Sequence, residues 1–347
     1  MIYFNSDYLE GAHPAVMARL METNMVQTVG YGEDEYCETA REKIKLACQA
    51  PEADVHFLVG GTQTNTTVIA AILRPWQGVL SAVSGHINCH EAGAIESTGH
   101  KVITLPTNNG KITAQQVRDY VEWHKNDEST EHIVQPGMVY ISHPTEGGTL
   151  YSKAELTALY DTCKQYGLPL FIDGARLGYG LVADGSDITL PELARLCDVF
   201  YIGGTKVGAL FGEAVVIMNE ALKKDFRFIM KQRGGRLAKG RLLGIQFDAL
   251  FTDDLYLTIS RHAIDMAYQI REIFVSAGYP LLFDSPTNQQ YPIMPDDELA
   301  EIGKNFGYEY WERTDPTHSG VRFCASWAIT QEHVDALRAA VQALQKR

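Results

Sequence analysis

From residue 55 to residue 218, short β-rich apolar runs alternate with amphipathic helical stretches, and this rhythm leaves few architectures open. The runs at 55–59, 79–83, 102–105, 138–142, 170–173, 199–202 and 214–218 are strand-sized and almost continuously apolar. Between them, the stretches 64–73, 91–97, 113–124, 153–166 and 190–196 carry helical periodicity. Strands that are apolar on both faces need cover on both faces. The pattern therefore predicts an α/β fold, a mainly parallel sheet sandwiched by helices.

After residue 218 the rhythm changes. Helical patterns at about 220–232, 239–251 and 253–277 stop at Gly278-Tyr279-Pro280, residues on which helices end. Strand-like runs at 281–284, 290–294 and 321–325 and helical patterns at 297–306 and 331–344 predict a smaller α+β unit. The expected division is an N-terminal segment plus large domain over 1–252 and a small C-terminal domain over 253–347. His13-Pro14 opens a helix at 15–23, and the first fifty residues are expected to wrap around the smaller unit. The polar stretch 126–132 reads as a surface loop.

The 347 residues hold 30 Lys and Arg against 43 Asp and Glu, a net charge of −13. That surface excludes a polyanion such as nucleic acid as partner, because phosphate backbones select clustered positive charge. Six cysteines lack any C-x-x-C pair, which predicts free thiols in a reducing compartment. The opening MIYFNSDYLEGAHPAV has no basic region followed by an apolar one, and no stretch approaches the ~20 apolar residues of a membrane span. A cytoplasmic protein is expected.

In a doubly wound sheet, ligands gather outside the carboxyl ends of the strands. Four such ends hold unusual residues, and each alone leaves two readings open. Gly60-Gly61-Thr62-Gln63-Thr64-Asn65 reads as a phosphate cup at a helix start or as a glycine turn with a Thr cap. His86 and His90, spaced i, i+4, read as a metal pair or as hydrogen-bonded core histidines. Asp173, ending a buried run, needs a cation, which is either a protonated ligand nitrogen or Arg176. Lys206, in Gly203-Gly204-Thr205-Lys206, is either a desolvated nucleophile or a snorkelling surface lysine. No G-x-x-x-x-G-K-[ST] loop occurs, which argues against an ATPase or GTPase.

Taken in order, phosphate cup, aromatic His, Asp and Lys on one sheet resemble fold-type I pyridoxal 5′-phosphate enzymes. Within these they resemble the threonine aldolase branch of the β-eliminating lyase family. The likeness runs through Asn5-Ser6-Asp7, Tyr31-Gly32-Glu33-Asp34, Gly61-Thr62-Gln63, His86 with Glu91-Ala92-Gly93, Asp173-Gly174-Ala175-Arg176, Thr205-Lys206 and Val321-Arg322.

The resemblance implies a set of roles. Lys206 would carry the cofactor, Asp173 would keep its ring nitrogen protonated, and His86 would stack on its face. Gly61, Thr62 and Thr205 would hold its phosphate. Arg176 would reach the phenolic oxygen or the substrate carboxylate, and Ser6 and Arg322 would grip that carboxylate. It also implies a homodimer or homotetramer with the site between subunits, where basic residues of the neighbour complete the phosphate pocket. Lys231, Arg236 and Lys239 are the candidates.

One departure bears on the chemistry. Where the aldolases carry Asn-Thr-His, this chain reads His143-Pro144-Thr145-Glu146, so Glu146 takes the place of the histidine at the substrate's β-hydroxyl. A carboxylate can serve there as base if burial raises its pKa, and His90 or an intervening water is the alternative.

The implied activity is cleavage of L-threonine or L-allo-threonine to glycine and acetaldehyde. The competing expectations are an α,β-eliminating lyase or aminotransferase with the same cofactor, and a metal-dependent hydrolase built from His86, His90 and Asp173.

Overall fold

The computed structural model describes residues 1–346. The chain opens with β1 (Ile2–Tyr3), α1 (Pro14–Thr23) and α2 (Glu35–Cys48). The alternating region follows as β2 (Asp54–Leu58), α3 (Gly61–Ile72), β3 (Gln77–Ala82), α4 (His86–Cys89), β4 (Val102–Leu105), α5 (Ala114–Asn126), β5 (Gln135–Ser142) and α6 (Lys153–Tyr166). It continues through β6 (Leu170–Asp173), α7 (Leu177–Val182), α8 (Leu190–Arg195), β7 (Val199–Gly203) and β8 (Glu213–Ile217). Helices α9 (Phe226–Gln232), α10 (Arg241–Leu250) and α11 (Leu255–Ser276) lead to the last unit. That unit holds β9 (Gln289–Gln290), β10 (Ile293–Pro295), α12 (Asp296–Ile302), β11 (Phe306–Gly307), β12 (Glu309–Arg313), β13 (His318–Cys324) and α13 (Gln331–Leu344).

The seven predicted strands form one sheet in the order β2-β8-β7-β6-β5-β3-β4. Every pairing among β3, β4, β5, β6 and β7 is parallel, and only β8 runs against its neighbours. The period of two divides each strand between two cores. Val55, Phe57, Leu80, Ile141, Ile172 and Ile202 face the core beneath α2, α6 and α10. Leu58, Val79, Met138, Tyr140, Phe171 and Tyr201 face the core under α3 and α9. A third core joins Phe4, the distal half of α11, β13 and α13.

Several expectations are corrected. The helix read at 91–97 does not form, because Ala92 and Gly93 take left-handed backbone (φ 51° and 74°) and break it. A short helix at His86–Cys89 and a 3-10 turn at Glu96–Thr98 replace it. The helix read at 220–232 is split by Asp225 at φ 63°. The run 281–284 is no strand: Leu281 makes one bridge to Pro292, and the chain then bends at Leu282-Phe283. The run at 290–294 divides at Pro292, which has no N–H to give a ladder, into β9 and β10. Helices α2 and α7 and strands β1, β11 and β12 have no counterpart among the expected elements.

The first fifty residues do not wrap around the small unit as a whole. Only the start does so: β1 pairs with β11 and Phe4 enters the third core. Helices α1 and α2 instead bury Val16, Cys37, Ala40 and Ile44 in the large core against α10, because their apolar stripes match that face.

Candidate active site

Strands β5, β6 and β7 end at Ser142, Asp173 and Gly203, and antiparallel β8 starts at Glu213 on the same edge. A cavity of about 650 Å³ opens there, lined by Gly61, Thr62, His86, His90, Glu146, Asp173, Arg176, Thr205, Lys206, Glu213 and Arg322. The four strand ends singled out in the sequence thus meet in one place. Gly174 and Gly203 allow this, since a Cβ at either would lie 2.0 or 2.3 Å from a backbone oxygen of the neighbouring strand end, Tyr201 or Ala175.

Asp173 is 4% exposed and fully engaged. Its Oδ1 accepts from the Tyr201 hydroxyl (2.5 Å) and the Ala175 N–H (3.0 Å), and its Oδ2 from the Tyr140 hydroxyl (2.6 Å) and Asn65 (3.1 Å). Burial alone would raise its pKa, but His86 and the donated hydrogen bonds outweigh it and hold the carboxyl below its ordinary range. The alternative pairing of Asp173 with Arg176 does not occur. Arg176 forks instead onto Asp7, at 2.6 and 3.0 Å, with both side chains buried.

His86 sits at the start of α4, and its Nδ1 lies 2.8 Å from Glu91 Oε1. Asn65 donates to that same oxygen (2.7 Å), tying Glu91 to Asp173. Desolvation would lower the His86 pKa, yet Glu91 and Asp173 raise it overall. The backbone N–H of His86 donates to Glu146 Oε1 (2.9 Å), which also accepts from the Ser142 hydroxyl (2.6 Å). Enclosure in the cavity raises the Glu146 pKa, and nearby Asp173 adds to this. Burial and then Arg176 lower that of Lys206, whose Nζ lies 5.9 Å from the Tyr8 ring centre.

Gly60 caps α3 without any side-chain hydrogen bond, so the first-turn N–H groups of this 12-residue helix face the cavity unclaimed by a Thr cap. Thr205 lines the cavity, but its hydroxyl donates to Glu213 Oε1 (2.8 Å) and accepts from Gly212 N–H (3.0 Å). Arg322 donates to Gln289 (3.0 Å) and to the Asn5 carbonyl (2.8 Å), while its buried Nε has no partner. Ser6 is buried near the cavity without forming its wall. His143 is buried outside the cavity, with its pKa pushed down to about 4 by burial.

Lys231 does not reach the cavity of its own chain. It is exposed on α9, 4.7 Å from the Tyr31 ring, with Arg236 against the same ring and Lys239 exposed nearby. His86, His90 and Asp173 do not assemble as ligands either. Among the described residues no group of three or more His, Cys, Asp or Glu is placed to hold a metal ion.

The beta-eliminating lyase family model matches residues 4–341. The chain belongs to the beta-eliminating lyase family. Within that family it is 41% identical to the threonine aldolase of Leishmania major, whose structure superposes with a TM-score of 0.96 over 99% of this chain and 100% of the other. A low specificity L-threonine aldolase of Pseudomonas aeruginosa is 29% identical over 337 residues, 96% of this chain and 95% of that one. The histidinol-phosphate aminotransferase of Clostridium acetobutylicum, at 12% identity and TM-score 0.76, shares the fold across 100% of this chain and 99% of its own. The fold is that of the fold-type I enzymes, and the family's members use pyridoxal 5′-phosphate.

The site of this family member fits that cofactor by its donor chemistry. A half-buried amine, a buried ionised carboxylate, an uncapped helix start and an arginine with an orphaned Nε share one cavity. Sequence reasoning missed Tyr140, Tyr201 and Asn65 around Asp173, the Asp7–Arg176 pair, and Glu213. One signal was available: Tyr140 and Ser142 share a strand face, and Ser142 pairs in register with Asp173. The Asp7 contact spans 169 residues and leaves no local trace.

Proposed function

We propose that this chain is a pyridoxal 5′-phosphate-dependent aldolase that cleaves L-threonine or L-allo-threonine to glycine and acetaldehyde. The observation that carries the reading is the convergence of Lys206, Asp173, Glu146 and Arg322 on one cavity. The curated relatives named as L-threonine aldolases support the substrate class.

Lys206 would hold the cofactor through its amine, and the α3 start with Gly61 and Thr62 would take its phosphate. Thr205 serves the turn rather than the phosphate, since its proton goes to Glu213. Asp173 would face the ring nitrogen and His86 the ring. The bound cofactor supplies an electron sink for the pair released when Cα–Cβ breaks. Arg322, with its free Nε, grips the substrate carboxylate. Asp7 holds the Nε and Nη2 edge of Arg176, and its remaining Nη1 would reach the phenolic oxygen or the substrate carboxylate. Glu146 removes the β-hydroxyl proton, the carbonyl of the aldehyde forms as Cα–Cβ breaks, and a proton returned to Cα completes glycine.

Exposed Tyr31, against Lys231, and exposed Phe228, three residues before it on α9, support a homo-oligomer in which that lysine completes a neighbour's phosphate pocket. The six unpaired cysteines support a cytoplasmic location. The test is to incubate purified protein with L-threonine and assay acetaldehyde and glycine against ammonia and 2-oxo acid. Only the first pair of products agrees with the reading. Ammonia and 2-oxo acid alone would make the chain an eliminating lyase or aminotransferase.

A further inference from the structure

Glu146 and Asp173 are joined by an unbroken chain of oxygen atoms. Asp173 Oδ2 meets the Tyr140 hydroxyl at 2.6 Å, Tyr140 meets the Ser142 hydroxyl at 3.3 Å, and Ser142 meets Glu146 Oε1 at 2.6 Å. Three links need three protons. With both carboxylates ionised, the two hydroxyls supply only two. One link must then lack a proton, and the longest of the three is the one between the hydroxyls.

A third proton completes the chain, and the surroundings decide where it resides. Asp173 accepts three further hydrogen bonds, from Tyr201, Ala175 and Asn65, all of which favour its ionised form. Glu146 Oε1 accepts only one besides Ser142, from the His86 N–H. The proton therefore settles on Glu146, which donates to Ser142, Ser142 to Tyr140, and Tyr140 to Asp173.

We propose that Tyr140 and Ser142 are positioning residues forming a hydroxyl relay, through which protonation of Glu146 is stabilised by a continuous hydrogen-bonded chain ending on ionised Asp173. This deepens the aldolase reading and rests on it. Glu146 receives the substrate's hydroxyl proton at one end, and Asp173 faces the cofactor at the other. Each proton Glu146 takes up turns the Ser142 hydroxyl toward Tyr140, whose own proton already points at Asp173, and so completes the chain ending on that anion. The directions of the two shifts, Glu146 raised and Asp173 lowered, agree with this.

The titratable groups around Glu146 are His86 on α4, Asp173 on β6, Tyr140 on β5, Tyr151 ahead of α6, and Tyr291, whose hydroxyl donates to the Glu146 carbonyl at 2.9 Å. His90, Lys206 and Arg322 line the same cavity. Among them only Tyr140 links the Ser142 hydroxyl to Asp173, so its removal separates the relay from a general field effect.

The measurement is an infrared pH titration of the intact purified protein carrying ¹³C-labelled glutamate carboxyls, with the Glu146 band assigned by its loss in Glu146→Gln. Tyr140→Phe removes one oxygen and the third link, so protonated Glu146 loses its stabilisation. Its midpoint should fall by about half a pH unit or more, and the acid limb of kcat should move with it. In a Ser142→Ala background the same Tyr140→Phe change should leave the midpoint in place. A Glu146 midpoint unmoved or raised by Tyr140→Phe would overturn the relay, and so would an equal shift in the Ser142→Ala background. Undiminished threonine cleavage by Glu146→Gln, by contrast, would dismiss Glu146 as base while leaving the infrared coupling intact, so the two readings fail separately.

Discussion

At the scale of single residues, the cavity is built from charges that burial would penalise if they stood alone. Asp7 is enclosed and held ionised because burial's penalty is overcome by the Arg176 fork, Lys206 and Asn288. Asp7→Asn would strand a buried guanidinium, at a cost of about 3–5 kcal/mol. Chemical denaturation should show that loss as a lower midpoint at unchanged slope, and an unchanged midpoint would refute it. Glu146→Gln keeps the shape and removes the base, and kcat/KM for threonine should drop about 10²- to 10⁴-fold. Because burial raises the Glu146 pKa, the competent ionised base accumulates only as pH rises past that elevated value. The acid limb of the rate profile should therefore lie above the 4.5 of an ordinary glutamate.

At the scale of elements, the turn from β7 to β8 carries Lys206, and Glu213 holds that turn. Its Oε2 accepts from the Gly204 N–H (3.0 Å) and its Oε1 from Thr205 (2.8 Å). Burial pushes its pKa from 4.5 up to about 8. The folded chain thus binds this proton more tightly than the unfolded one does. Its contribution to stability is complete below about pH 4.5 and is lost as pH rises toward 8. Glu213→Gln stays neutral throughout, so its Tm should decline less than wild type between those pH values, by a few degrees. Parallel Tm curves would refute the assignment. The strands that frame this turn were readable because a period of two and β-branched content are local signals. The helix expected at 91–97 was not, because its apolar spacing concealed the left-handed Ala92-Gly93 step that aims Glu91 at His86.

At the scale of the whole molecule, Phe228 is 76% exposed three residues before Lys231 on α9, and exposed Tyr31 lies against that lysine. Exposed aromatic side chains beside a cation suit a contact with a second copy. If a neighbour's Lys231 completes the phosphate pocket, Lys206→Ala and Lys231→Ala chains should each be weak alone. Co-expressed, they should recover activity, because mixed oligomers hold one site with both lysines intact. No recovery in an oligomer shown to be mixed by mass would place Lys231 outside the site. The two-unit plan also belongs to this scale. Arg322 enters the cavity from β13, whose neighbours Val321 and Phe323 anchor the third core together with Phe4.

The sheet, its covering helices and the four strand ends where chemistry collects are legible in the chain alone, since each is written in residues a few positions apart. The chain also supplied Lys206, Asp173, His86, Glu146 and Arg322 as candidates. What each one touches follows from the folded chain. Asp173 lies among Tyr140, Tyr201 and Asn65 rather than against Arg176, Arg176 is committed to Asp7, and Thr205 to Glu213. The physical reason is that a buried charge is stabilised by whatever donors the fold brings within about 3 Å, and these come from strands and segments distant in the chain.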